Sequence, residues 1–273
     1  MNLNLFSMGI FLTVTLFIFP VPGFPLEIPG GQKGPPGMMV PKETSKDGPL
    51  SKNNELQGPK MASSSNPPIY NPPRRGAPGG RVGGGTRGIG DEGMSLYVLA
   101  PDHVGLTVQE QPTLYWFISK LTQHPLEAKI IEDLAVKPIL KTQIPLLSRA
   151  GIHSIRLADY NVRLLPNREY WWFVAVVPDT DHRSKDILAG GLVKHIVPPG
   201  TLQTKLGQTV KNELFKIYAE EGLWYDAVRA ISDLIEAAPN DIHLRKQRAS
   251  LLEQVGLSKI AAYDRGQEIT GGK

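Results

Sequence analysis

Between residues 95 and 199 short apolar runs alternate with turn-forming residues. Leu96–Leu99 is stopped by Pro101-Asp102, and Thr113–Ile118 follows Pro112. Ala128–Ile131, Ile139–Ile144 and Ile152–Leu157 come next. Tyr170–Val177 is the most apolar run and is closed by Pro178-Asp179; Gly191–Val197 ends at Pro198-Pro199. These runs are rich in β-branched and aromatic residues and too short for helices, so each predicts a strand. The run Tyr170–Val177 is apolar on both alternating faces, which predicts a central strand. In Thr113–Ile118 the face of Leu114, Trp116 and Ile118 is the predicted core face.

After residue 200 the period changes from two to that of a helix. Leu214, Ile217 and Tyr218 share one face, Gly222 interrupts, and Trp224, Ala227, Val228, Ile231, Leu234 and Ile235 resume it. Pro239-Asn240-Asp241 stops that helix and caps the next. Gly222 recurs 34 residues later as Gly256, and Ala227 as Ala261. The first unit resembles a tetratricopeptide repeat, with Tyr218, Gly222, Trp224, Ala227, Ile231 and Pro239 at the expected offsets. About one and a half such repeats are too few for a long peptide groove. The helical hairpin is therefore expected to dock on the strands or cap them; the alternative is partner binding. The expected fold class is mainly β plus α. An immunoglobulin-like antiparallel β-sandwich spans 94–199, and the helical hairpin follows at 200–265. A disordered tail is expected at 266–273, and the N-terminal third is expected to be disordered.

The N-terminal third cannot build a core. Leu3–Phe19 is uncharged and mostly apolar, with Val21 and Gly23 before a small-residue cut site. Residues 1–23 read as a secretory signal peptide, the alternative being an uncleaved membrane anchor. From Phe24 to Gly93 there are 15 Gly and 12 Pro but only two aromatics, Phe24 and Tyr70. That composition predicts a flexible linker, with its Gly-rich end an extended arm along the domain edge.

Charge and composition narrow the chemistry. With no cysteine there is no disulfide, Cys–zinc site or thiol nucleophile. The net charge is +4, of which the linker supplies most, nine Lys and Arg against six Asp and Glu. The folded part is near neutral and offers no field for nucleic acid. Gly83, Gly85 and Gly88 match G-x-G-x-x-G without the strand before and helix after that a dinucleotide needs. Arg74, Arg75, Arg81 and Arg87 lack the interleaved aromatics of an RNA-binding tract. Asp179-Thr180-Asp181-His182-Arg183-Ser184-Lys185-Asp186 has three carboxylates for calcium, but Arg183 and Lys185 compete for them.

The six histidines, His103, His124, His153, His182, His195 and His243, form no helical metal pair, and no G-x-S-x-G is present. His153 and His195 are expected to be half-exposed strand residues. Trp116, Trp171 and Trp172 are expected in the core, with sugar stacking as the alternative. Paired carboxylates across a cleft stay open as a hydrolytic arrangement.

Three segments in combination carry a resemblance. They are Arg75-Gly76-Ala77-Pro78-Gly79 through Gly83-Gly84-Gly85-Thr86-Arg87-Gly88, the Tyr170-Trp171-Trp172-Phe173 strand, and Ala219-Glu220-Glu221-Gly222-Leu223-Trp224-Tyr225-Asp226-Ala227. From about Arg74 to Gly256 the chain resembles a mainly cyanobacterial exported family, domain of unknown function 928. That family has no assigned activity, so the resemblance supplies no catalytic residues. It implies a cysteine pair at the places of Gly90 and Pro178, which this chain lacks, and hence an arm held less firmly.

These readings converge on an exported, non-catalytic interaction or structural module of the cell envelope, secreted or periplasmic. No catalytic, cofactor-binding or metal-ligating residue is assigned. The expected partner is an envelope protein or a glycan, with no nucleic acid, and with membrane contact only through an uncleaved leader. The alternatives are a glycan-binding module, or a carbohydrate-active or other hydrolase.

Overall fold

Each of the seven apolar runs forms a strand, and two further short strands join them. The computed structural model describes residues 66–73, 79–83 and 93–266. All of these lie in one compact unit within Pro59–Lys273. The strands are β1 (Arg81–Gly83), β2 (Leu96–Val98), β3 (Gly105–Thr107), β4 (Thr113–Ile118), β5 (Leu126–Glu132), β6 (Leu140–Ile144), β7 (Gly151–Arg156), β8 (Glu169–Val176) and β9 (Ile187–His195). One sheet has the order β1-β9-β8-β5-β6, and the other β2-β4-β7. The pairings are antiparallel except that of β3, which runs parallel to β9. β1 takes the Ala189–Gly191 part of the β9 edge and β3 the Val193–His195 part. Two antiparallel sheets with consecutive strands crossing between them give an immunoglobulin-like sandwich.

β8 lies between β9 and β5, the central place its two apolar faces require. Tyr170, Trp172, Val174 and Val176 point inward and are buried. β4 departs from simple alternation because all six of its residues are buried. Leu114, Trp116 and Ile118 form the expected core face, while Tyr115 and Phe117 are covered by the helices.

Five helices follow: α1 (Gly200–Gln208), α2 (Leu214–Glu220), α3 (Trp224–Ala237), α4 (Ile242–Gln254) and α5 (Ser258–Asp264). A tight turn at Lys211–Glu213 separates α1 from α2. After α1 the helices form two hairpins, α2–α3 and α4–α5. Both hairpins turn in the same way. Gly222 and Gly256 have φ of 74° and 73°, the left-handed conformation that a side chain resists. Leu223 N–H donates to the Tyr218 carbonyl and Leu257 N–H to the Leu252 carbonyl, closing each helix end. Asp241 caps α4 as expected, its Oδ1 accepting from His243 N–H at 2.8 Å.

The helices dock on the sandwich. α3 lies against β3 and β4, and one continuous hydrophobic cluster runs through both layers. Gly105 permits the approach: a Cβ there would stand 2.5 Å from the Tyr225 ring. Trp224 Nε1–H donates to the Leu99 carbonyl at 2.8 Å across the junction.

The expected disorder of residues 24–93 does not extend to two pieces of the linker. Gly79–Gly83 pairs with β9 and ties Arg81 to the carbonyls of Ala100 and Val255. Those backbone bonds need no side-chain bulk, so a Gly-rich arm can make them without a disulfide. Asn66–Pro73 lies against the helices with Tyr70 only 6% exposed. Asn71 N–H donates to the Ala219 carbonyl, and Tyr70 N–H to Gln254 Oε1 at 2.8 Å. The leader, the rest of the linker, Gly85, Gly88, Gly90 and the tail after 266 lie outside the described residues.

Candidate functional site

A cleft of about 440 Å³ opens where the β4–β7 sheet meets the helices. Its sheet side carries Tyr115, Trp116, His153 and Ser154, and its helical side Ser232, Glu236, Arg245, Arg248, Tyr263 and Asp264. The crossover from β6 to β7 closes one end with Pro145–Arg149. Polar and aromatic groups from six elements therefore meet in one concave place, the kind of junction where ligand sites commonly form.

Its floor is held by a buried ion pair. Arg248 Nε and Nη2 each donate at 2.7 Å to the two oxygens of Asp264, and Arg248 Nη1 donates to Ser232 Oγ at 2.9 Å. Both charges are nearly dry, so their bidentate geometry must offset a large desolvation cost. The pair joins α4 to α5, and Ser232 extends the tie to α3. Burial pushes the Tyr115 phenol up to about 12, with Asp233 and Glu236 adding to the rise, so it stays protonated at neutral pH.

His153 stands opposite Trp116 in the β4–β7 register, their ring centroids 5.0 Å apart. Its Nε2 is 3.1 Å from the Arg149 carbonyl, so that nitrogen carries the proton. Burial depresses its pKa, and the Arg149 charge adds to this against the carbonyl bond. The imidazole is therefore neutral at pH 7. Trp116 is fully buried, and its Nε1–H has no hydrogen-bond partner.

A second concave area of about 510 Å³ lies on the outer face of the larger sheet, lined by Glu127, Lys129, Lys141, Phe173, Arg183 and Leu188 among others. Trp171 stacks on Phe173 there, centroids 5.8 Å apart and planes 12° from parallel. Trp116 and Trp172 are core as expected, whereas Trp171 is half-buried on this face.

The histidines are dispersed. His103 bonds Tyr70 Oη at 2.9 Å and Asp102 at 3.2 Å; His182 bonds Asp179 at 2.7 Å; His195 bonds the Leu164 carbonyl at 3.0 Å. His124 and His243 sit in the loop before β5 and the first turn of α4. His153 alone of the six lines the cleft. The acidic turn from Asp179 to Asp186 is knitted by its own cations. Lys185 and His182 both reach Asp179, and Arg183 bridges Asp186 and Glu127. These bonds hold the Asp179 carboxyl down to about 2. Among the described residues no group of three or more His, Asp or Glu is placed to hold a metal ion.

A family model described as Domain of Unknown Function (DUF928) matches residues 82–264. The chain belongs to that family. The match takes in all of the sandwich after Arg81 and the helices to the end of α5, so the cleft lies wholly inside the DUF928 region. No curated protein matches the chain.

Sequence reasoning named Trp116 and His153 but assigned neither to a site. Tyr115, Arg149, Arg245, Arg248 and Asp264 were missed. Arg248 and Asp264 stand 16 residues apart on successive helices, a spacing that no local motif carries.

Proposed function

We propose that this chain is an exported, non-catalytic binding module of the cell envelope, with its partner held in the cleft between sandwich and helices. The apolar leader at residues 3–19 supports export. The observation that carries the binding reading is the cleft itself: polar and aromatic side chains from both layers line a space braced by a buried Arg248–Asp264 pair. Such bracing fixes side-chain positions before a ligand arrives, which lowers the ordering cost of binding. The acidic groups there are engaged, Asp264 by Arg248 and Glu236 by Arg156 at 3.7 Å, an arrangement suited to recognition. The partner is an envelope protein or glycan.

The test is fractionation of cells expressing the tagged full chain, followed by equilibrium binding to solubilised envelope material. Ser154 lines the cleft and is exposed, so Ser154→Trp fills it without disturbing the core. The proposal expects the protein outside the cytoplasm and binding lost in Ser154→Trp. Cytoplasmic retention, or binding unchanged by the Trp, would reject it.

The stacked Trp171–Phe173 pair supports a second reading, glycan binding on the open sheet face. Aromatic faces beside Lys129, Lys141 and Glu127 offer ring stacking with polar neighbours for hydroxyls. A glycan array comparing the chain with Trp171→Ala tests this: signal lost in the variant supports it, and equal signal removes it.

A further inference from the structure

We infer that the site holding Asn66–Pro73 is a peptide-docking site, selective for an extended Pro-x-Tyr-Asn segment, and that the chain carries one such ligand in cis. The site shares no lining residue with the cleft. The segment is seated as a bound peptide is. Pro68 and Tyr70 are buried, while Asn66, Pro67, Ile69, Asn71 and Pro72 are exposed, so a single aromatic anchor enters the body. Four of the residues from Pro67 to Pro73 are proline, which lacks an N–H and favours an extended backbone. Of the three N–H groups left, at Ile69, Tyr70 and Asn71, the body takes two. Gln254 Oε1 accepts from Tyr70 N–H at 2.8 Å, and the Ala219 carbonyl accepts from Asn71 N–H at 3.0 Å. Gln254 Nε2 donates to the Pro68 carbonyl at 2.9 Å, so one amide grips the backbone on both sides of Ile69. Asn71 Nδ2 donates to the Glu220 carbonyl at 3.0 Å, which favours asparagine after the tyrosine.

The three side chains that receive the segment are each held by a second bond, so the site is ordered before the peptide is counted. Gln254 Nε2 also donates to the Ser250 carbonyl at 3.0 Å. Trp224 meets the Tyr70 ring edge-on at 5.0 Å and is fixed by its bond to the Leu99 carbonyl. His103 lies nearly parallel to the Tyr70 ring, 14° between planes. Asp102 Oδ1 accepts from His103 Nδ1–H at 3.2 Å, which leaves Nε2 to accept from the Tyr70 hydroxyl at 2.9 Å. A phenylalanine would leave that nitrogen unmatched. Gly222 clears the backbone path: a Cβ there would stand 2.7 Å from the Asn71 carbonyl oxygen. All of these receiving residues lie within the family region 82–264, and the segment lies before it. Body and segment are thus divided as receptor and tethered ligand. Five residues, 74–78, join Pro73 to the arm at Gly79, a tether that holds the ligand at an effective concentration on the order of millimolar. A peptide of the same pattern supplied in trans, as by a second copy of this chain, makes the same contacts but competes against that tether.

The experiment titrates the full-length Tyr70→Ala chain, whose own segment lacks the anchor, with an acetylated and amidated peptide of sequence Asn-Pro-Pro-Ile-Tyr-Asn-Pro-Pro. The peptide should bind below millimolar concentration and raise the thermal midpoint of the variant. The parent, its pocket filled, should bind at least tenfold more weakly. A peptide with Phe for Tyr should lose fivefold or more, and one with Ala for Tyr should not bind. Adding Gln254→Ala to Tyr70→Ala should weaken the peptide fivefold or more. Adding Ser154→Trp, which fills the cleft, should leave its affinity within twofold. A second preparation keeps Tyr70 and carries a protease recognition sequence inserted between Pro73 and Gly79; it decides the matter should Tyr70→Ala not fold. Once cut, that chain should stay folded, and the peptide should displace the severed N-terminal fragment on gel filtration. No binding to folded Tyr70→Ala at millimolar peptide, equal binding of the Tyr and Ala peptides, or parent and variant binding alike would overturn the inference. So would Gln254→Ala within twofold, a loss caused by Ser154→Trp, or a cut chain that unfolds or keeps its fragment against millimolar peptide.

Discussion

Trp172 Nε1–H donates to the Tyr225 hydroxyl at 2.9 Å, and that hydroxyl donates in turn to the Leu192 carbonyl at 2.9 Å. This relay passes from β8 to α3 and back to β9 in the buried interior. It stitches the helical layer to the larger sheet. Tyr225→Phe removes one oxygen and strands two partners. The expected loss is about 1–3 kcal/mol for each stranded group. Urea unfolding should show a lower midpoint with unchanged slope, because the layers share one core and unfold together. Two separate transitions would contradict that shared core.

The arm segment Asn66–Pro73 contributes to stability through Tyr70. Its ring meets Trp224 edge-on at 5.0 Å, and its hydroxyl bonds His103 at 2.9 Å. Tyr70→Ala should cost about 3–5 kcal/mol, as for other buried aromatics. Deleting residues 1–73 should lower the thermal midpoint at least as far. An unchanged midpoint after the deletion would show that this segment is not part of the folded body.

Much of this architecture was legible beforehand, and the failures have physical causes. The seven strands were visible because β-branched and aromatic runs between Pro and Gly leave few other conformations. β1 and β3 were not, being three residues each and held to β9 by backbone bonds that leave no side-chain signature. Tyr70 was conspicuous as a lone aromatic between Pro67-Pro68 and Pro72-Pro73, but its contacts lie 33 and 184 residues away at His103 and Gln254. The cleft was illegible for the same reason. It gathers Tyr115 to Asp264 from elements whose meeting depends on how the helices dock.

Arg248 and Asp264 make a prediction about charge. Asp264 is 2% exposed and Arg248 7%. Arg248→Met strands a carboxylate in a dry site and should cost about 3–5 kcal/mol. Replacing both, Arg248→Met with Asp264→Leu, should recover much of that loss. A double-mutant cycle by chemical denaturation measures the coupling. Additive single losses would mean that the pair is not coupled.

Asp226 sets a pH dependence. It is 1% exposed at the start of α3, where Oδ2 accepts from Val108 N–H at 2.9 Å and Oδ1 has no partner. Burial pushes its carboxyl up to about 6 from 3.8, against the hydrogen bonds from Val108 and Thr107. A raised carboxyl pKa means that the folded state holds its proton longer than the unfolded state. Stability should therefore fall as pH rises from about 4 through 6 and level off above, by at most about 3 kcal/mol. Unfolding free energies of the parent and Asp226→Asn at pH 4, 5, 6 and 7 should diverge across this window. Parallel curves would contradict the assignment.

The turn from Asp179 to Asp186 should ignore calcium. Lys185 and His182 already occupy Asp179, and Arg183 occupies Asp186. Millimolar calcium should leave the thermal midpoint within experimental error of that in chelator, and a rise of several degrees would overturn this.

Hydrogen exchange of the full chain, with and without solubilised envelope glycans and proteins, tests the cleft as the seat of recognition most directly. Protection is expected at residues 144–154 and 245–248, which meet at the cleft though they lie far apart in the chain. Protection centred instead on Trp171 and Phe173, with none at those two segments, would contradict it.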